Sequence, residues 1–408
     1  MSRLRIVGWS VLLTLCFVVL GCAARDCPLC KDQAAALTDG GPKENCGDPF
    51  DGLAIERLSN TVTDEGSADI LLLSGGGSRG SFAAGILNGW KDSPPFDMVT
   101  GVSTGAIMAT WAYLGRDHKT KPYEMLRQTY AGHITAKQIR KRRWLFPLVD
   151  SKYSLAPLKK MFLKILPTEM IIEVGRVYKK YGRQLWIGST NLETGQFCHW
   201  NLGQRALNAA EAYDRGDEKT LADEVDMYHK LIIASSANPT VFQSVDIYGY
   251  THVDGGVSET IYVERINDIV DEVLRVREAN VDKPLNVYAV VNGRLINSQK
   301  CVGKNIYSLA TRSISLLSKS ATRGNLDRIK TIVDEGLQGR SWNYYTGWLP
   351  AEKKLDAPDV FSEASMRALF KYGEDWIANQ DRWCKGIPGA ENDQPNCKLP
   401  EVGRLNCS

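Results

Sequence analysis

The sequence predicts an α/β fold built on a mainly parallel central sheet with helices on both faces. Two apolar strands, at 70–73 and 96–102, each run shortly into a helix, at 81–90 and 104–114. Strand–helix–strand–helix at this spacing indicates a parallel sheet covered on both sides. Further strands are expected at 184–190, 231–234, 251–253 and 285–291, with amphipathic helices at 307–334 and 358–378. No repeat with a period of 20–50 residues is visible, which excludes a solenoid. At 408 residues the chain is long enough for one large domain or for two. With 43% apolar and 24% charged residues its composition is that of a folded globular protein. A net charge of +3 is near balance and gives no reason to expect nucleic acid as a partner.

The chain opens with Arg3 and Arg5, then an apolar run from Ile6 to Leu20, then Gly21-Cys22. About 15 residues is short for a membrane span, which needs roughly 20, and right for the apolar region of a signal peptide, here 1–21. Val19-Leu20-Gly21-Cys22 resembles a bacterial lipobox, in which cleavage leaves a lipidated Cys22 at the new N-terminus. A plain signal peptide cleaved nearby, or an uncleaved anchor, is the alternative. Ala23, standing where an aspartate would signal retention, points by analogy to the outer membrane of a bacterial envelope, facing the periplasm or the cell surface. Acyl chains add roughly 0.8 kcal/mol per buried methylene, so several give a stable anchor.

Residues 22–66 are polar and without helical or strand periodicity, and read as a tether. Beyond Cys16 and Cys22 eight cysteines remain: Cys27, Cys30, Cys46, Cys198, Cys301, Cys384, Cys397 and Cys407. An even number in an exported chain implies disulfides, with staples between the two ends of the chain among the pairings. The CPLC run at 27–30 has no second cysteine or histidine pair to complete a zinc site, so no metal is expected.

The core spans 67–265 and contains three glycine-bearing motifs. In LLLSGGGSRGSF, a strand meets Gly75, Gly76, Gly77 and Gly80, with only Ser78 and Arg79 between them. Such a loop brings backbone N–H groups close to something negative. Gly75-x-Gly77-x-x-Gly80 also fits a dinucleotide fingerprint. That reading needs an acid at the end of the next strand, whereas Asp97 sits at its start. With no Gly-Lys-Ser/Thr, a P-loop is excluded. GVSTG at 101–105 lies between the second strand and its helix, as a nucleophile elbow does. The turn is tight at Gly101 and Gly105, and it lifts the Ser103 hydroxyl above the sheet, beside the positive end of the helix. Alone, the pattern also fits an ordinary β–α turn. In THVDGGVSE, Gly255 and Gly256 let the chain turn so that Asp254 projects into a pocket. Read alone, this too is a common turn.

A serine hydroxyl needs a base. Of five histidines, His252 has the chain position of an α/β-hydrolase base, yet only one strand precedes the strand that leads into Ser103, where that fold has several. Asp254 is the other candidate; partial burial would raise its pKa from the usual 3.9 or so. The glycine loop then serves as an oxyanion hole, each donor contributing roughly 3–4 kcal/mol by analogy with measured cases.

Together these residues resemble the patatin-like phospholipase family, whose pattern is G-G-G-x-[RK]-G, then G-x-S-x-G, then D-G-[GA]. IIASSANPTVF at 232–242 matches a further family segment through Ala234, Ser235, Ala237 and Pro239. The resemblance covers roughly 68–265. It implies a three-layer α/β/α fold and acyl-ester hydrolysis of membrane lipids, as in a phospholipase A or lysophospholipase. It also implies Ser103 as nucleophile, Asp254 as base, an oxyanion hole from Gly75, Gly76, Gly77, Arg79 and Gly80, and no cofactor. A non-catalytic lipid- or partner-binding lipoprotein and a Ser-His-Asp esterase using His252 are the rival readings. Residues 115–183, rich in charge and less regular, are expected to cap one end of the sheet. Within them KQIRKRRWLFPL at 137–148 has the composition of a segment resting on an anionic bilayer, or of a solvated basic face. Residues 266–408 carry no named motif and are expected to pack on the core, ending in a disulfide-stapled tail.

Overall fold

A computed structural model describes residues 68–133, 141–142, 151–263, 285–295, 301–335, 342–350, 362–378, 383–386, 388 and 397–398. The signal segment, the lipobox with Cys22, the tether, the cysteines before 67 and almost all of 137–148 lie outside them.

The chain enters the sheet at β1 (Ala68–Leu73), passes a short 3-10 turn (Gly77–Arg79), and continues through α1 (Gly80–Gly89), β2 (Met98–Val102) and α2 (Thr104–Leu114). The segment 115–183 holds α3 (Pro122–Gln128), a π turn (Thr129–His133), β3 (Lys141–Arg142), β4 (Ser151–Ser154), α4 (Ala156–Ile165) and α5 (Thr168–Tyr181). Then come β5 (Gln184–Asn191), β6 (Phe197–Asn201), α6 (Leu202–Arg215), α7 (Glu218–Ser235), β7 (Thr240–Phe242), β8 (Val245–Ile247) and β9 (Tyr250–Asp254). The remaining elements are β10 (Leu285–Val291), α8 (Ile306–Glu335), β11 (Trp342–Trp348), α9 (Glu363–Ile377) and β12 (Cys384–Lys385).

Nine strands form the main sheet in the order β12-β11-β10-β1-β2-β5-β9-β8, with β6 also on β5. Every pairing from β11 to β5 is parallel, and the marginal pairings, β6 and β9 on β5, β8 on β9 and β12 on β11, are antiparallel. Because side chains alternate across a strand, β1 feeds two cores. Leu71 and Leu73 belong to one, with α1, α2, α5, α6, α7 and α9. Ile70 and Leu72 belong to the other, under Leu326, Ile329 and Ile332 of α8. Helices therefore cover both faces, and the three-layer arrangement follows from continuous apolar strands that must bury both sides.

Three expectations need correction. The apolar run 231–234 is the buried end of α7, whose N-cap Asp217 accepts a hydrogen bond from Thr220 N. A four-residue apolar run fits a strand or a buried helix end equally well, and here helical periodicity continues into it from Glu218. The segment 115–183 is more regular than its charge content implies. α5 buries Met170, Ile171, Val174 and Tyr178 in the core and keeps Lys179 and Lys180 outside. It also approaches α6 so closely that a Cβ on Gly175 would lie 2.1 Å from Ala206 O. Residues beyond 265, expected to pack on the core, instead complete it: β10 pairs with β1 on one side and β11 on the other. Among the disulfides, Cys384–Cys397 closes the tail on itself, and Cys198 and Cys301 are also disulfide-bonded.

α1 and α9 touch backbone to backbone. A Cβ on Gly85 would lie 2.0 Å from Phe370 O, and one on Gly373 would lie 2.2 Å from Phe82 O. Gly373→Leu should therefore destabilise the protein by about 3 kcal/mol, the upper end for overpacking. Thermal unfolding read by circular dichroism checks this, and an unchanged midpoint would contradict the packing.

Candidate active site

Ser103 and Asp254 are 151 residues apart in sequence, and their meeting is a matter of sheet register. β2 pairs with β5 as far as Val102 and Gly188. The next residue of β5, Ser189, pairs with Asp254 of β9 and, across its other edge, with Cys198 of β6. β9 therefore takes over the edge of β5 where β2 leaves it, and the C-terminal ends of β2 and β9 abut. Ser103 Oγ donates to Asp254 Oδ2 at 2.7 Å.

The turn at Ser103 is strained. Its φ of 56° and ψ of −123° lie in a region that non-glycine residues avoid, at a typical cost of about 1–3 kcal/mol. Both flanking glycines are sterically required. A Cβ on Gly101 would lie 2.5 Å from Gly105 O, and one on Gly105 would lie 2.2 Å from Leu73 O. The elbow is held from the side by the end of α7 and the two residues that follow it. Ser235 Oγ accepts from Ser103 N at 3.0 Å, Ser236 Oγ donates to Ser103 O at 3.2 Å, and Ala237 O accepts from Asp254 N at 3.0 Å. One short segment thus fixes the backbone of both residues.

Asp254 is buried, with its other oxygen accepting from Gly256 N at 2.8 Å. Burial pushes its pKa up to about 6, against the opposing hydrogen bonds from Ser103 and Gly256. Gly255 has no room for a side chain, since its Cβ would lie 2.5 Å from Gly188 O.

In the glycine loop the five expected donors divide. Gly75 N donates to Thr260 O at 2.9 Å, Arg79 N to Gly76 O at 3.3 Å, and Gly80 N to Gly77 O and Ser78 O. These three N–H groups are occupied, so they do not serve as oxyanion donors in this conformation. The N–H groups of Gly76 and Gly77 donate to no acceptor among the described residues, and Gly77, at φ 58°, is exposed. Arg79 holds the loop through Nε to Gly76 O at 3.4 Å.

Sequence reasoning missed Asn292. This fully buried residue follows β10, and its Nδ2 donates to Ser74 O at 2.8 Å while its Oδ1 accepts from Ala83 N at 3.2 Å. Its own N–H donates to Ser74 Oγ at 2.8 Å. It therefore pins both ends of the glycine loop, and a Cβ on Gly76 would lie 2.5 Å from its Cβ. Asn292-Gly293 reads as a turn signal in sequence. The other missed residue is Asn325 of α8, whose Oδ1 accepts from Thr260 N and Ile261 N at 3.0 and 3.2 Å. It fixes the carbonyl that occupies Gly75.

His252 is fully buried and shares a hydrogen with Ser189 Oγ at 2.9 Å, away from Ser103. Burial lowers its pKa to about 4. His229 is bonded to Leu166 O, and His118 to Thr120. Asp97 accepts from Asp69 N at the far end of β1 from the glycine loop. Among the described residues no group of three or more His, Cys, Asp or Glu could hold a metal ion, and no helix is long and apolar enough to cross a membrane.

Fold and site together define a class: α/β proteins with a serine on a strained strand–turn–helix elbow, bonded directly to a buried carboxylate. Residues 71–265 match the family described as patatin-like phospholipase. The match supports lipid acyl hydrolysis as the general activity. No match is found among curated protein sequences. Among solved structures, that of VipD from Legionella pneumophila is similar over 78% of this chain and 67% of that one, at 11% identity and a TM-score of 0.30. At that distance nothing about VipD transfers to this chain.

Two outcomes are expected. Ser103→Ala removes a hydrogen bond that favours the carboxylate, so the Asp254 pKa should rise above about 6. Carbon-13 NMR of the aspartate carboxyls checks this, and a wild-type value near the ordinary 3.8 would contradict the burial. Asn292→Ala should lower kcat for ester hydrolysis by roughly 10–100-fold with little change in KM, because a shifted loop misplaces donors without altering substrate contacts.

Proposed function

We propose that the protein is a serine acyl-ester hydrolase of membrane lipids, of the phospholipase A or lysophospholipase type, using Ser103 and Asp254 as a dyad. The observation that carries this reading is the 2.7 Å hydrogen bond between a strained serine and a carboxylate whose pKa lies near 6. An unperturbed carboxylate is a poor base for a hydroxyl, and raising its pKa toward neutrality improves it.

Ser103 Oγ attacks the ester carbonyl carbon while its proton passes to Asp254 Oδ2. The carbonyl oxygen becomes an anion, received by Gly76 N–H and Gly77 N–H, with the N-terminus of α2 adding its positive end. Collapse of the tetrahedral species breaks the bond to the alcohol, which leaves with the proton from Asp254. The acyl group remains on Ser103. Water then gives a proton to Asp254 and attacks the acyl carbon, and the second collapse returns the proton to Ser103 and frees the fatty acid. No metal or cofactor takes part. Asp254 is a base in both halves, so the strain at Ser103 and the burial of Asp254 serve the same end.

The cellular setting belongs to the proposal too. A lipidated Cys22 would hold the enzyme on the outer membrane of a bacterial envelope, with 22–66 as tether. The Ser-His-Asp alternative loses support from the partner of His252, which is Ser189.

The test is fatty-acid release from phospholipid, lysophospholipid and triglyceride by protein beginning at Ala23. Ser103→Ala should lower release by about 10⁴-fold or more, and Asp254→Asn by about 10²–10⁴-fold. If His252→Ala abolished turnover in a folded protein, the dyad would be wrong. The pH profile of kcat/KM should lose activity as pH falls through about 6, because Asp254 takes up a proton there and ceases to be a base. A profile flat down to pH 4.5 would remove Asp254 from the mechanism.

A further inference from the structure

α8 has two halves of different character. From Asn325 on it is packed against the second core through Leu326, Ile329 and Ile332. Before that point none of its described side chains is buried. At about 100° per residue, Ile306, Leu309, Leu316 and Leu317 fall within one arc of about 100°, on the side of the helix opposite the buried residues. They are apolar and face solvent, with relative exposures of 87%, 51%, 37% and 67%. Arg312, Lys319 and Arg323 fall along the border of that stripe, spaced seven and four residues apart. Between Cys301 and Leu326 the chain carries Lys304 and these three cations and not one aspartate or glutamate.

This half-helix is also wired to the site. Ser318 Oγ donates to Gly256 O at 3.4 Å, and Thr322 Oγ1 shares a hydrogen with Thr260 Oγ1 at 2.7 Å. Arg323 Nε donates to Leu295 O at 3.1 Å, closing the gap to the loop after β10. The outer surface of α8 thus lies about one helix diameter, 10–12 Å, beyond the Asp254-Gly255-Gly256 turn.

We propose that the N-terminal half of α8 is an interfacial docking surface for an anionic phospholipid bilayer, with Ile306, Leu309, Leu316 and Leu317 entering the acyl boundary and Arg312, Lys319 and Arg323 facing the headgroup phosphates. The inference rests on the hydrolase reading only for its purpose, since it supplies the surface that presents lipid to Ser103. An apolar stripe bordered by cations is the pattern of a helix lying in the plane of a membrane interface, and each cation near an anionic surface adds about 1 kcal/mol. Burial and the neighbouring Arg79, Arg312, Arg294 and Arg323 bring the Lys319 pKa down to about 8, a field of positive charge that lipid phosphates would relieve.

Hydrogen exchange of the full chain, with and without vesicles, tests this directly. Phosphatidylglycerol-containing vesicles should slow exchange in 301–320 by at least about tenfold, and pure phosphatidylcholine vesicles should not. Exchange unchanged by either vesicle, or slowed equally by both, overturns the proposal. Slowing that grows with protein concentration and needs no vesicle makes the surface a contact between two copies of the chain, and also overturns it. In parallel, the triple variant Ile306→Ser, Leu309→Ser, Leu317→Ser should lower the ratio of vesicle-lipid to soluble short-chain ester hydrolysis by at least about tenfold. An unchanged ratio in a folded variant counts against docking. If the wild type cleaves neither substrate, the hydrolase reading fails while the exchange measurement still decides docking.

Discussion

One edge of β5 is shared by two strands, and the site depends on that sharing. β2 runs parallel to β5 and stops at Gly188; β9 comes in antiparallel and stops at Ser189. Two chain ends that would otherwise fray are brought together, and the side chains they carry are a serine and an aspartate. Glycines at 101, 105 and 255 permit the approach because each would place a Cβ within 2.5 Å of a backbone oxygen. A one-residue slip of β9 along β5 would turn Asp254 to the other face of the sheet. Register, more than any single contact, therefore decides whether the pair exists.

Around this junction hydrogen bonds between polar groups reach across the fold. Asn325 of α8 fixes the backbone of Thr260, whose carbonyl takes the N–H of Gly75. Asn292 fixes Ser74 and Ala83 on either side of the loop. The effect is selective. Some loop donors are consumed by the scaffold, and Gly76 and Gly77 are left over. A donor that must meet a transient charge is useful only if it is held still beforehand, and buried amides bonded at both ends are a rigid way to hold it. Residues beyond the matched stretch 71–265 thus shape the loop within it.

Much of this was legible in the chain itself, and the rest was hidden for definite reasons. The helix at 104–114 and the strand at 285–291 are readable to the residue, because continuous apolar runs end there in glycine or polar residues. The strand expected at 231–234 fails because four apolar residues have no period of their own. The residues that meet at the site were readable from motif types. Which glycine N–H groups stay free was not, since that depends on Thr260 and Asn325, brought near by pairings absent from local sequence. Asn292 looks like half of a turn until β10 is seen to lie beside β1.

The position of β10 also sets the order in which the molecule can be completed. Asn292 and Ser74, which it locks, are 218 residues apart. At the usual pace of synthesis, about 5–20 residues per second, roughly ten to forty seconds separate their appearance. Through that interval one edge of β1 has no partner, and an open strand edge is a template for aggregation. The glycine loop is equally without its clamp. A growing chain therefore holds Ser103 well before Asn292, and Asp254 only a little before it, so the site is finished with the last third of the chain.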